Sequence, residues 1–296
     1  MQNLRSLRQQ IRSIQNTQKI TKAMQMVAGA KLRRSQEELV SFRPYAEALD
    51  KVTKRFLSAH PGLQHALLGN VSPVLKEEEP SSEPAALAPA GLIIVTSDTG
   101  LCGTYNERVL GAAAKFRMEF PSAVVVTIGR KGTRSLAHRG WPKALKEIVT
   151  WGGRYELGTA GELLSWLEKE YLAGNVSSWN VAYTRFISAL SWKPVVERIL
   201  PAETVAAQEY PEKVIVEPDP ATFADRLLRR QLRAQFARVL LDAFTAEHSA
   251  RMIAMKNATE NASELISSLT LIRNKMRQAA ITKELIEVVS GAEALK

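Results

Sequence analysis

Apolar side chains return along the first forty residues at alternating steps of three and four: Leu4, Leu7, Ile11, Ile14, Leu32, Leu39 and Phe42, with Gln18, Thr21, Gln25, Ala28 and Ser35 between. This heptad pattern predicts one helix from Met1 to about Leu57, broken in composition only by Gly29 and Pro44 and closed by His60-Pro61-Gly62. The end of the chain repeats it. Ala237, Leu241, Phe244, His248, Arg251, Met255, Ala258, Ala262, Leu265, Leu269, Ile272, Met276, Ala279, Lys283 and Ile286 form a second seam, in a helix predicted from about Thr222 to Lys296. No proline follows Pro220, and the one later glycine is Gly291, near the end. At ~1.5 Å per residue this helix is about 100 Å long. A helix of that length needs a neighbour of similar length. Small and flexible residues on its seam point to a coiled coil with close backbones. The economical solution pairs the terminal helices antiparallel and places everything between them in an insert; homodimerisation through either helix is the alternative.

Between the helices the period changes. Leu92-Ile93-Ile94-Val95-Thr96 and Ala123-Val124-Val125-Val126-Thr127-Ile128 are short β-branched runs, each predicting a buried strand. The first leads through Ser97-Asp98-Thr99-Gly100-Leu101-Cys102-Gly103 into a helix from about Thr104 to Phe120. Gly129-Arg130-Lys131-Gly132 opens a short helix, followed by a strand near 147–150, a helix near 159–173 and a strand near 179–186. Pro194–Leu200 and Lys213–Val216 are candidate edge strands. This alternation predicts a mostly parallel sheet. The expected fold class is α/β plus a long antiparallel coiled coil, with a Rossmann-like α/β domain inserted between paired terminal helices. Residues 69–91 combine four prolines with the acidic run Glu77-Glu78-Glu79 and no period, which predicts a flexible linker. Glu217-Pro218-Asp219-Pro220 resets the backbone before the last helix. The expected domains are a coiled-coil helix over 1–60, the linker over 69–91, the α/β domain over 92–217 and a coiled-coil helix over 220–296.

Charge sharpens this picture. The chain carries +10 overall, but residues 1–34 hold eight basic residues and no acidic one, whereas 58–220 is slightly acidic. A basic helical rod takes an acidic partner or a polyanion as its counterpart. Nucleic acid, a protein partner and plain solvation all remain open on this pattern; aromatic interleaving and any DNA-binding signature are absent. The N-terminus has no apolar run of a secretory signal, and no stretch approaches the ~20 apolar residues of a membrane span. A single cysteine rules out an internal disulfide framework and fits a reducing compartment.

Candidate chemistry is sparse. The SDTGLCG loop lies between a strand and a helix, where nucleotide folds hold phosphate, but it lacks G-x-G-x-x-G, and no P-loop signature occurs. A structural tight turn is the plainer reading. Arg130 and Lys131 at a helix start are an anion site or a solvated pair. Cys102 is a nucleophile or a small buried hydrophobe. His60, His65, His138 and His248 lack metal-ligand spacing, and no catalytic triad or carboxylate pair stands out. No cofactor or active site is expected.

Three stretches carry a family resemblance. RSIQNTQKITKAMQMVAGAKLRRSQ at residues 12–36 resembles the N-terminal helix of the gamma subunit of F-type ATP synthase. SDTGLCG at 97–103 resembles the loop after the first strand of its α/β domain. AEHSARMIAMKNATE at 246–260 and NKMRQAAITKELIEVVSG at 274–291 resemble its C-terminal helix. The resemblance implies a non-catalytic central-stalk rotor of a proton-translocating enzyme. Its coiled coil turns inside a ring of three alpha and three beta subunits, and its α/β domain rests with the epsilon subunit on the c-subunit ring. Rotation of that ring drives the beta subunits through successive conformations. Lys22 and Met24 match the segment that meets the beta-subunit lever loop. Arg277, Gln278, Thr282 and Glu284 match the segment that forms polar catches with beta; the plainer readings are a seam methionine and a solvated helix pair. Glu217 lies where the foot approaches the c ring. One cysteine excludes the regulatory cysteine pair of chloroplast members, which implies the bacterial type, at the cytoplasmic side of the inner (plasma) membrane. The resemblance offers no account of the 69–91 linker. A basic coiled-coil nucleic-acid-binding protein is the alternative.

Overall fold

The computed structural model describes residues 4–70, 88–149, 151–202 and 215–293. Residues 71–87 of the expected linker, and the start of the candidate strand at 213–216, lie outside them; Ile215 and Val216 are not in a strand. The chain forms two compact units, Met1–Gly29 with Arg251–Lys296, and Ala30–Ala250. Helix α1 spans Leu4–Ala59 and passes through Pro44. The last helix, α5, spans Pro220–Glu293. It starts where the sequence places proline at the first helical position. Asp219 caps it, accepting from the backbone N–H of Ala221 at 3.0 Å and Thr222 at 2.9 Å. Those backbone bonds, led by that of Thr222, hold the Asp219 carboxyl below the usual range.

In the first unit α1 and α5 run antiparallel. The Thr21 and Thr259 hydroxyls hydrogen-bond at 2.8 Å, and Gly29 lies against Met252. Every seam position of α1 is covered, with Leu7, Ile11 and Ala28 buried in this unit and Leu32, Ser35 and Leu39 buried in the second. The seam of α5 needs correction. Met255 and Ala262 are covered as expected, but Leu265 is 53% exposed while Ile266 is half-buried, and Ile272 is exposed while Arg273 is half-buried. A three-four alternation has two phases wherever both neighbours suit the seam, and the Thr21–Thr259 contact selects the phase running through 259, 266 and 273. Ala279, Lys283 and Ile286 are fully outside the seam. The groove that holds Arg273 is lined from α1 by residues 5–15, next to Leu4, the first described residue of α1.

The second unit is built on a five-stranded sheet ordered β3-β2-β1-β4-β5, formed by Ala90–Val95 (β1), Val124–Ile128 (β2), Lys146–Ile148 (β3), Ser178–Ser188 (β4) and Ser191–Leu200 (β5). β1 pairs parallel with β2 and β4, β2 parallel with β3, and β5 antiparallel with β4 through a tight hairpin. Side chains alternate between its faces. Leu92, Ile94, Val125 and Ala182 pack with helices α2 (Tyr105–Glu119) and α3 (Arg130–His138). Ile93, Val95, Val126, Ile128 and Tyr183 pack with helix α4 (Leu157–Leu172), with Phe56 and Leu57 of α1, and with α5 from Ala224 to Phe244. The inner parallel strands β1 and β2 are therefore almost wholly apolar on both faces, as a sheet covered on both sides requires.

Residues 241–250 of α5 are buried without interruption. A helix apolar or satisfied all round is enclosed on every side, so this stretch is a core helix rather than one strand of a two-helix seam. Several polar groups in and around it find specific partners. Tyr105 Oη donates to the carbonyl of Ala243 at 3.0 Å, His248 Nε2 donates to that of Gly153 at 2.8 Å, and Asp242 faces Arg43 at 3.5 Å.

Candidate functional site

The strand-end loop at 97–103 is where a nucleotide fold would hold phosphate, so the donors of α3 decide its role. All of the first N–H groups there are used within the chain. Arg130 donates to Asp98 Oδ1 at 3.1 Å, Lys131 to the Ser97 carbonyl at 3.0 Å, and Gly132 to Thr96 Oγ1 at 2.8 Å. The second Asp98 oxygen accepts from Gly152 at 2.8 Å. Gly129, at φ +96°, lets the backbones close; a Cβ there would lie 2.1 Å from the Thr96 carbonyl oxygen. The carboxylate and the threonine hydroxyl thus sit where a phosphate would, and the loop is a structural clasp. Cys102 is buried, with Asn106 Nδ2 donating to its sulfur at 3.3 Å. Among the described residues no group of His, Cys, Asp or Glu is arranged to hold a metal ion. The His65 ring accepts from Leu67 N–H through Nδ1 and meets Asp225 through Nε2, a capping role.

A second polar cluster joins β5 to α5. Glu197 accepts from Tyr183 Oη and Arg185 Nη2, each at 2.8 Å, and from Gln235, and it pairs with Arg238. Burial pushes the Glu197 carboxyl up; Arg238 and the hydrogen bonds from Tyr183, Arg185 and Gln235 outweigh it and hold the group below the usual range. Burial, with Glu197 beside it, pushes the Tyr183 phenol well above its ordinary value. Asp242 differs: burial dominates there and raises its carboxyl despite Arg43 and Arg238. These groups line a cleft of about 590 Å³ with opposite charges close to balance, which is an interlock between elements rather than a ligand site.

The residues singled out from the sequence lie apart. Lys22 is exposed and Met24 half-buried on α1, close to the Thr21–Thr259 contact. Arg277, Gln278, Thr282 and Glu284 are exposed on α5, beginning eighteen residues past Thr259, so about 27 Å further along the helix. The Thr282 hydroxyl donates to the Gln278 carbonyl at 3.0 Å. Glu217, in the other unit, is exposed just before α5. Pattern reading missed the apolar residues facing outward on the same helix. Leu265, Leu271, Ile272, Ile281, Leu285, Ile286, Val288 and Val289 are all exposed, and residues 277–291 have no covered position. For Leu271, Ile281, Leu285, Val288 and Val289 the signal was available as apolar side chains off the expected seam; Leu265, Ile272 and Ile286 were expected on it.

The comparisons agree with each other. Residues 3–295 match the sequence family described as ATP synthase. The chain is 40% identical over 297 residues to the ATP synthase gamma chain of Moorella thermoacetica, and 38% identical over 306 residues to that of Ralstonia nicotianae, covering both chains in full each time. Among solved structures, the fold is similar to a chain of the Euglena gracilis mitochondrial ATP synthase in an OSCP/F1/c-ring assembly, with TM-score 0.70 at 16% identity over 99% of this chain and 94% of that one. It is also similar to a chain of the Tetrahymena thermophila mitochondrial ATP synthase central stalk and c-ring, with TM-score 0.58 at 23% identity over 81% and 99%.

Proposed function

The chain belongs to the ATP synthase gamma chain family, and we propose from that membership that it is a central-stalk rotor subunit without an active site of its own, passing rotation of a c ring to the catalytic subunits of a proton-translocating enzyme. The observation that carries this reading is the bare end of α5. Residues 277–291 are helical and exposed on every side, with Ile286 at 60% and Val288 at 66%. Several apolar side chains on an unaccompanied helix call for another chain to cover them.

In this reading one copy stands within three alpha and three beta subunits. Lys22 and Met24 meet the moving lever of a beta subunit, and Arg277, Gln278, Thr282 and Glu284 form polar catches with beta. Glu217, with the epsilon subunit, faces the c ring. A two-helix rod has no threefold symmetry, so it offers a different face to each of three equal partners and biases each towards a different conformation. Among the described residues no helix is long and apolar enough to cross a membrane; association with the cytoplasmic side of the inner (plasma) membrane comes through the complex. The basic rod then needs no nucleic acid to account for it.

Reconstitution tests the reading. The purified chain is mixed with alpha and beta subunits, and the complex is isolated for stoichiometry and ATPase rate. One copy per three alpha–beta pairs, with a raised rate, is expected. Absence of a complex, with homodimers or nucleic-acid binding instead, refutes it.

A further inference from the structure

The first turns of α1 carry a concentration of charge that the rotor reading does not use. Arg5, Arg8 and Arg12 follow at i, i+3 and i+7 on one face, and Arg273 of α5 stands across from them. With Gln9 and Gln15 at the sides and the buried Ile11 beneath, they line a groove of about 620 Å³. Among the described residues no acidic side chain lines it. The first acidic residue of α1 is Glu37, and the nearest on α5 in sequence are Glu264 and Glu284. Four like charges around one groove raise one another's energy, and the positive end of the α1 dipole adds to the same potential. An anion lowers it.

The shape of the groove selects among anions. Guanidinium forks match phosphate oxygens bidentately, and glutamine amides supply further donors. From Arg5 to Arg12 the face extends about 10 Å. An extended peptide places same-side residues about 7 Å apart, so it brings roughly two carboxylates to four arginines. A phosphate chain brings charge on every phosphorus over the same length. No aromatic ring lines the groove to stack a base. We propose that this groove binds a compact polyphosphate, inorganic or the phosphate chain of a nucleotide, and reads the phosphates without the base. The proposal rests on the groove alone and stands or falls separately from the rotor reading.

Calorimetric titration of the full chain at fixed ionic strength with sodium tripolyphosphate, ATP, AMP and hexaglutamate tests it. Tripolyphosphate and ATP are expected to bind within about threefold of each other and at least about tenfold more tightly than AMP. Arg12→Gln combined with Arg273→Gln is expected to weaken tripolyphosphate by about tenfold or more, with helix content by circular dichroism unchanged. If that pair disturbs the helices, Arg8→Gln alone carries the same comparison. Affinity unchanged in the variants, AMP equal to ATP, ATP much tighter than tripolyphosphate, or hexaglutamate as strong as tripolyphosphate would each overturn the proposal.

Discussion

Replacing Gly91 with alanine puts one methyl group into a crowded point of the sheet unit. Gly91 in β1 stands in register with Trp179 of β4. A Cβ at Gly91 would lie 2.2 Å from Trp179 Cε3, 2.5 Å from Cζ3 and 2.8 Å from Cδ2. Carbon atoms pack at about 3.5–4.0 Å, so the indole must withdraw by more than about 1 Å. Its surroundings prevent that. Trp179 is fully buried, its Nε1 donates to the Leu167 carbonyl at 2.9 Å, and Trp166 lies against it at 6.1 Å between ring centroids. Overpacking costs about 1–3 kcal/mol. Tilting the ring also strands a buried N–H, at about 1–3 kcal/mol more. The expected loss is therefore about 4 kcal/mol. All five tryptophans fall between residues 141 and 192, so their fluorescence reports this unit in urea unfolding. At a slope of about 1–3 kcal/mol per molar urea, the midpoint falls by roughly 1.5–4 M. Adding Gly91→Ala to a Trp179→Leu chain, where the ring is gone, is expected to cost much less than in the native chain. A loss below about 1 kcal/mol, or the same cost in both backgrounds, refutes the argument.

Tyr105→Phe removes a fully buried hydroxyl that binds the Ala243 carbonyl and is expected to cost about 1 kcal/mol in the same urea assay; no change would mean that carbonyl needs no second donor. Asp242 holds its proton more tightly folded than unfolded, because burial outweighs Arg43 and Arg238, so its contribution to stability falls as pH rises from the ordinary carboxylate range through its raised folded value. Asp242→Asn keeps an acceptor for Arg43 and removes that slope; its urea midpoint relative to the native chain is expected to rise as pH climbs out of the ordinary carboxylate range, and a constant difference would refute the assignment. Arg277→Ala with Gln278→Ala is expected to leave assembly intact and to lower ATP synthesis in membranes several-fold; native synthesis rates would remove both residues from the catch.

The α1 seam was legible because its period continues through Gly29 and Pro44, and the centre of the sheet because β1 and β2 are runs rich in β-branched residues. The registration of one element on another was not. Leu265 and Ile266 are equally good seam residues by pattern, and a hydrogen bond between two threonines 238 positions apart separates them. The belt at 241–250 reads as a heptad segment, yet its covering comes from loops and helices that no local period announces. The 97–103 loop has the form of a phosphate site, and only the folded chain shows Thr96, Ser97 and Asp98 turned onto the donors that a phosphate would need. The catch residues show the same limit most plainly. By period they continue the paired rod; by resemblance they face another subunit. The two readings differ only in the stagger of α5 against α1, which neither helix encodes by itself. With Arg273 placed against residues 5–15, the turns over residues 277–291 have no covered position among the described residues. Ile281, Leu285, Val288 and Val289 then follow at i, i+4, i+7 and i+8, one exposed apolar stripe with Ile286 at its edge. One face of this helix is therefore apolar and bare, and covering it takes surface from outside the described residues of this chain.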